Sequence, residues 1–312
     1  MELKKKLKII LAYFAIYFIW GSTFLAIRYA IDSIPPFIMV GFRTIIAGAI
    51  LFIFSIFKNK QYPSLIDWKK ATISGFILIV FGYGGLTWAQ QFVPSGYASL
   101  LEATLSIWLF LLYWIYGKKY SPSPKDIIGI MAGFIGVVLL LEIDGELITL
   151  TKGNSFLVFL SSFALLISAF SWASGSFLSH KIKSIPLMML IGMQLLTGGF
   201  FMLLIATLVG EWVFFSPKDV SILSLVSLLY LIFFGTIIAF GSYSWLLRVS
   251  SPVKVGSYAF FNPLVAVFLG WLLANEQITR QMIIGALAIL VSVLILNFSQ
   301  TNKLDVEKRT YN

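Results

Sequence analysis

The chain has 312 residues, 59% of them hydrophobic and only 12% charged, whereas soluble domains run at roughly 45–50% apolar and about 25% charged. So little polar surface cannot cover a water-soluble globule, and lipid must be the solvent for much of the chain. With no cysteine and a single histidine, His180, a disulfide framework and the usual N/S zinc site are excluded. The net charge of +10 is scattered among short segments, which is not the basic face that nucleic acid requires.

The N-terminus, Met1 to Lys6, is basic and precedes an apolar run, as in a signal peptide. That run, Ile9 to Ile27, is long enough to span and ends in Arg28-Tyr29 without a small-residue cleavage site, so it reads as a retained first helix. A helix crosses the hydrocarbon core with about 20 mostly apolar residues. Runs of that kind occupy 9–28, 36–57, 71–92, 96–116, 127–141, 155–177, 186–209, 221–247, 255–273 and 282–298. The fifth is short and is expected to extend beyond its limits. Unbroken runs lack the alternation of a barrel strand, and backbone groups in lipid pair internally in helices.

Along these spans the polar residues fall in patterns. The first carries Trp20-Gly21-Ser22-Thr23-Phe24, and the second carries Arg43. Tyr83, Thr87 and Gln90 form a stripe at helical spacing on the third. Ser95, Ser99, Glu102 and Ser106 form another on the fourth, at i, i+4, i+7 and i+11. Either stripe lines a polar lumen or permits close helix approach, as small residues do. Gly129 and Gly133 in the fifth span make a packing pattern, and Trp172 in the sixth again stands beside Ser and Gly. His180 and Lys181 read as a solvated helix end, and Trp88 as part of an interfacial aromatic belt. The ninth span carries Tyr258 and, mid-way, Asn262-Pro263, where proline frees a carbonyl. Glu276 reads as a helix-end and loop residue.

Arg43 and Glu102 are the charges set well inside spans, each roughly 10 Å deep at 1.5 Å per residue. Intramembrane charges cost about 2.5–3.5 kcal/mol at a helix centre and face a cavity or a partner. The two are expected within ion-pair reach, facing one shared cavity. They either fix packing alone or handle substrate or protons.

Orientation follows from charge. With both termini cytoplasmic, the basic residues fall in inner segments except Arg28, Arg43, Lys152, Lys218 and Arg280. The outer loops are then expected near 29–35, 93–95, 142–154, 210–220 and 274–281. The halves also echo each other: Trp20 to Phe24 against Trp172 to Phe177, and Trp88 to Ala98 against Trp245 to Val255. Five spans per half is an odd number, so the second half enters the membrane from the opposite face. The fold class is therefore an all-α integral membrane protein of ten transmembrane helices in two inverted five-helix repeats, 9–141 and 155–298.

The chain resembles the drug/metabolite transporter superfamily, in its branch with two EamA domains. The resemblance rests on Trp20 to Phe24, Phe42-Arg43, Ala98 to Ser106, and Tyr258 to Leu264 through Asn275-Glu276 and Gly285. Ser106 and Lys119 depart from it, standing where the family commonly has proline and glutamate. The resemblance implies a ten-helix carrier exporting amino acids or related metabolites. The expected function is a secondary transporter of small solutes across the cytoplasmic membrane through a cavity between the repeats. The alternatives are an intramembrane enzyme acting on lipid head groups, which needs a polar cluster near one interface, and a non-transporting scaffold. Candidate substrate-binding residues are Trp20, Thr23, Arg43, Tyr83, Gln90, Ser99, Glu102, Trp172, Tyr258 and Asn262. No cofactor is expected, and no phosphate-cradling GxxxxGK[ST] loop occurs. Proton coupling against facilitated transport, and monomer against homodimer, stay open.

Overall fold

The computed structural model describes residues 2–116, 124–141, 155–250, 255–256, 258–280, 282–288, 290–292 and 294–295. Among the described residues there is no strand. The long helices are α1 (Lys6–Ala30), α2 (Pro36–Asn59), α3 (Leu65–Ala89), α4 (Ser95–Tyr116), α5 (Pro124–Leu141), α6 (Ser155–Lys181), α7 (Leu187–Leu208), α8 (Ile222–Val249), α9 (Tyr258–Ala274) and α10 (Met282–Ser292). Seven of them, all but α5, α9 and α10, are long and apolar enough to cross a membrane. The expected outer loop at 142–154, and Lys118, Lys119, Lys152 and Lys254, lie outside the described residues.

The third span starts earlier than its apolar run. Ser64 caps α3 in a capping box with Asp67: the Asp67 N–H donates to Ser64 Oγ (3.2 Å), and the Ser64 N–H donates to Asp67 Oδ2 (3.0 Å). That reciprocal cap satisfies two orphan donors and carries the helix through the charged segment Asp67 to Lys70. Exposed apolar side chains such as Ile10, Phe14, Phe57, Phe163, Phe200, Phe268 and Leu272 form the outer surface, as lipid-facing residues must.

Close packing holds α2 against α7. A Cβ on Gly192 would stand 2.7 Å from Phe52 N, and one on Gly48 would stand 2.9 Å from Leu196 N. Gly199 meets Thr44 and Ile45, and Gly41 meets Leu203, so the helices run antiparallel in backbone contact. Small residues permit such approach where lipid gives no hydrophobic drive for association. The Gly129 carbonyl accepts from Ser292 Oγ (2.6 Å), tying α5 to α10.

Four departures from α-helical winding were not legible as elements. α1 is π-wound at Ala15–Ile19, α3 at Phe76–Gly84, and α8 at Leu231–Phe240. α4 is interrupted: its first half ends at Glu102 and its second begins at Leu105. Through the break the bonds shorten to i→i−3, from the Thr104 N–H to Leu101 O (3.1 Å) and from the Ile107 N–H to Thr104 O (2.9 Å). Such π segments frequently accompany functional sites, and broken helices line cavities within membranes.

Candidate functional site

The π segment of α3 and the break in α4 both line one cavity, with room for about 60 Å³ of water-sized occupants. α1 contributes Trp20, Thr23, Phe24 and Ile27; α2 contributes Arg43; α3 contributes Gly82, Tyr83 and Leu86. From α4 come Ser99, Glu102, Ala103 and Leu105, from α6 Ser168 and Trp172, and from α9 Tyr258, Ala259 and Asn262. Nine of the ten sequence-derived candidates therefore stand around one space. Gln90 does not. It lies at the C-cap of α3, seven residues or about 10 Å beyond Tyr83 along the axis. Its carbonyl accepts from Arg28 Nη1 there (2.9 Å).

Arg43 is 1% exposed. The expected ion pair is absent: among the described residues no salt bridge joins it to Glu102, though both line the cavity. Instead Arg43 Nε donates to Thr236 Oγ1 (2.8 Å), which in turn donates to Leu231 O (2.9 Å). The guanidinium lies over the Tyr83 ring, its carbon 4.3 Å from the centroid, a cation–π geometry worth about 2 kcal/mol when desolvated. Arg43 Nη1 is buried without a hydrogen-bond partner, and so is Glu102 Oε1. Sequence could not supply this arrangement, because Thr236 is 193 residues from Arg43.

The π winding of α8 sets that contact. Gly235 lies within it, and a Cβ there would stand 3.2 Å from Arg43 Nη2 and 3.0 Å from Thr23 Cγ2. The Gly235 carbonyl accepts the Trp20 indole N–H (3.0 Å), fixing that ring. With the Asn262 amide of α9 assigned nitrogen toward the π segment of α1, as its neighbouring acceptors require, it donates to Tyr17 O (2.9 Å) and Ile16 O (3.1 Å). Asn262 thus satisfies carbonyls that the irregular winding frees.

Rings close one end of the cavity. Trp20 stands 5.6 Å from Trp172, 5.0 Å from Tyr243 and 5.0 Å from Tyr258, centroid to centroid, and Trp172 stands 5.5 Å from Phe240 and 4.9 Å from Tyr83. Tyr243, Phe240 and Ser168 were missed from the sequence. Ser168 had a signal, since Ser161, Ser168, Trp172 and Ser176 recur at i, i+7, i+11 and i+15 on α6.

A largely apolar and aromatic cavity into which Arg43 and Glu102 reach, lined by membrane-crossing helices, is the architecture of a solute transporter. The chain belongs to the EamA-like transporter family, whose profile matches residues 7–142 and 159–298. It is 33% identical to the inner membrane transporter YedA of Escherichia coli K12, covering 90% of this chain and 87% of that one. It is 28% identical to the transporter YoaV of Bacillus subtilis, over 94% of this chain and 97% of that one. A probable amino-acid metabolite efflux pump of Escherichia coli K12 is 25% identical over 89% of this chain and 90% of the pump. One crystal structure superposes with a TM-score of 0.65 at 17% identity, over 91% of this chain and 94% of the other, a likeness of fold alone. The relatives are named as transporters, in keeping with a membrane carrier rather than an enzyme.

Proposed function

We propose that the protein is a facilitative carrier exporting small zwitterionic metabolites of the amino-acid class across the cytoplasmic membrane. The observation behind this reading is the presence, in one cavity, of Arg43 Nη1 and Glu102 Oε1, each buried without a protein hydrogen-bond partner. A buried charge left uncompensated is costly. A solute bearing a carboxylate and an ammonium compensates both at once, with about 1.5–3 kcal/mol for each charged hydrogen bond. Trp20, Trp172, Tyr83 and Tyr258 then receive its less polar part. The relative named as an amino-acid metabolite efflux pump supports the substrate class. The two matched segments, taken as inverted five-helix repeats with both termini cytoplasmic, supply alternating access about a central site.

The test is counterflow of radiolabelled amino acids in proteoliposomes, with and without a pH gradient. Wild type is expected to exchange at equal rates in both conditions. Glu102→Gln and Arg43→Gln are each expected to weaken apparent affinity by roughly 10–100-fold, one charged hydrogen bond apiece. Substrate-dependent proton movement in wild type, lost in Glu102→Gln while counterflow survives, would overturn the facilitative reading. Absence of any amino-acid counterflow would overturn the substrate class.

A further inference from the structure

A second, smaller cavity opens between the C-terminal end of α6, the N-terminal end of α7 and the C-terminal end of α8. These ends lie on the far side of the ring cluster from the first cavity. Tyr243 and Phe240 line the second cavity, while the Trp20 and Trp172 rings they pack on line the first. One layer of side chains separates the two spaces. The Tyr243 hydroxyl donates to Ser176 Oγ (3.0 Å), holding its ring in that layer.

The chemistry of the second cavity is that of an anion site. Its polar wall is Ser179, His180, Gln194, Ser244 and Arg248, and no acid is among the lining residues. Arg248 Nη2 donates to Ile182 O (3.1 Å), which leaves the remaining guanidinium donors for the cavity. His180, in the last turn of α6, is only half buried; its ring is hydrogen-bonded to the Leu247 backbone, and its Nδ1 is enclosed without a hydrogen-bond partner. Gln194 Nε2 is fixed between Ser74 Oγ (2.7 Å) and Ser179 Oγ (2.6 Å). Lys181 and Lys183 stand exposed beside it. Asp67, near this end on α3, is engaged by Ser64 and Ser184.

We infer that this second cavity binds the carboxylate of a small solute, through Arg248, as a station one ring layer away from the central site. Its place on the route rests on the carrier reading above, but the anion site itself does not. A carboxylate arriving at Arg248 meets the ring layer next, and displacement of Tyr243 and Trp20 joins the two spaces.

The chain has no cysteine, so Ser244→Cys places one thiol in the cavity wall. The purified full chain in nanodiscs is labelled with anionic sulfonatoethyl methanethiosulfonate and, separately, with cationic trimethylammonioethyl methanethiosulfonate. The anionic reagent is expected to react faster. Adding Arg248→Gln should lower the anionic-to-cationic rate ratio roughly tenfold, the order expected for one unit charge at the edge of a low-dielectric cavity, and Arg248→Lys should restore it. Thermal unfolding confirms that each variant is folded. A ratio unchanged by Arg248→Gln, or a thiol inert to both reagents in the folded protein, would overturn the site. Counterflow of the wild type is read separately. A charge-dependent ratio without counterflow leaves the anion site standing and removes the carrier reading.

Discussion

At the scale of the residue, the two intramembrane charges were visible in the sequence because Arg and Glu stand out against apolar surroundings. What each one touches was not visible. Arg43 is held by a hydroxyl on α8 and the face of a tyrosine on α3, partners that no spacing rule connects to it. Glycine shows the same limit: among 24 glycines, Gly235 looks like any small residue of a packed span. Its importance lies in the 3.2 Å that would separate an added Cβ from Arg43 Nη2. Gly235→Ala is expected to destabilise the protein by about 1–3 kcal/mol, the usual cost of overpacking. The same change should displace the guanidinium and weaken counterflow. Thermal unfolding in detergent measures the first effect, and an unchanged midpoint would mean that the contact relaxes without cost.

At the scale of the element, long apolar runs located the helices well, because lipid leaves the backbone little alternative. The π segments and the break after Glu102 escaped because residues such as Ala103 and Thr104 carry no breaker signal. Helix ends were legible only in part. Glu276 was read as a helix-end residue, and its carboxylate accepts from the N–H groups of Ser95 (2.9 Å) and Gly96 (3.1 Å) and from Ser95 Oγ (2.8 Å), capping α4 from 181 residues away. Glu211, not singled out in the sequence, does the same for α2, accepting from the N–H groups of Phe37 (3.1 Å) and Ile38 (2.9 Å). Burial pushes the Glu211 carboxyl above the ordinary glutamate range, opposed by those two backbone donors. A raised folded-state value means that the folded protein binds more protons than the unfolded chain just above that range. Its contribution to stability therefore falls as pH rises through the window. Unfolding midpoints across mildly acidic pH should show this slope in wild type and lose it in Glu211→Gln. An identical slope in both would assign the dependence to another group.

At the scale of the whole molecule, basic residues oriented the chain without any structural input. The cysteine-free background makes that orientation directly testable. With both termini inside, Lys218→Cys should react with a membrane-impermeant maleimide in intact cells, and Lys60→Cys only after permeabilisation; both positions are exposed. The opposite result would invert the topology. Trp20 and Trp172, paired in the echo between halves, meet at 5.6 Å. What self-comparison could not reveal is that these two rings pack on Tyr243 and Phe240, which face a second cavity.

The glycine-lined contact of α2 and α7 has a mechanical consequence. At Gly48 and Gly192 the partner backbone lies within 2.9 Å of where a Cβ would stand, which leaves little cushion of side chains to compress or shear. Sliding one rod along the other would drive Cα atoms into Phe52 or Leu195, whereas rolling one over the other preserves every close approach. Any rearrangement that keeps these approaches is therefore a roll about this line of contact rather than a slide along it.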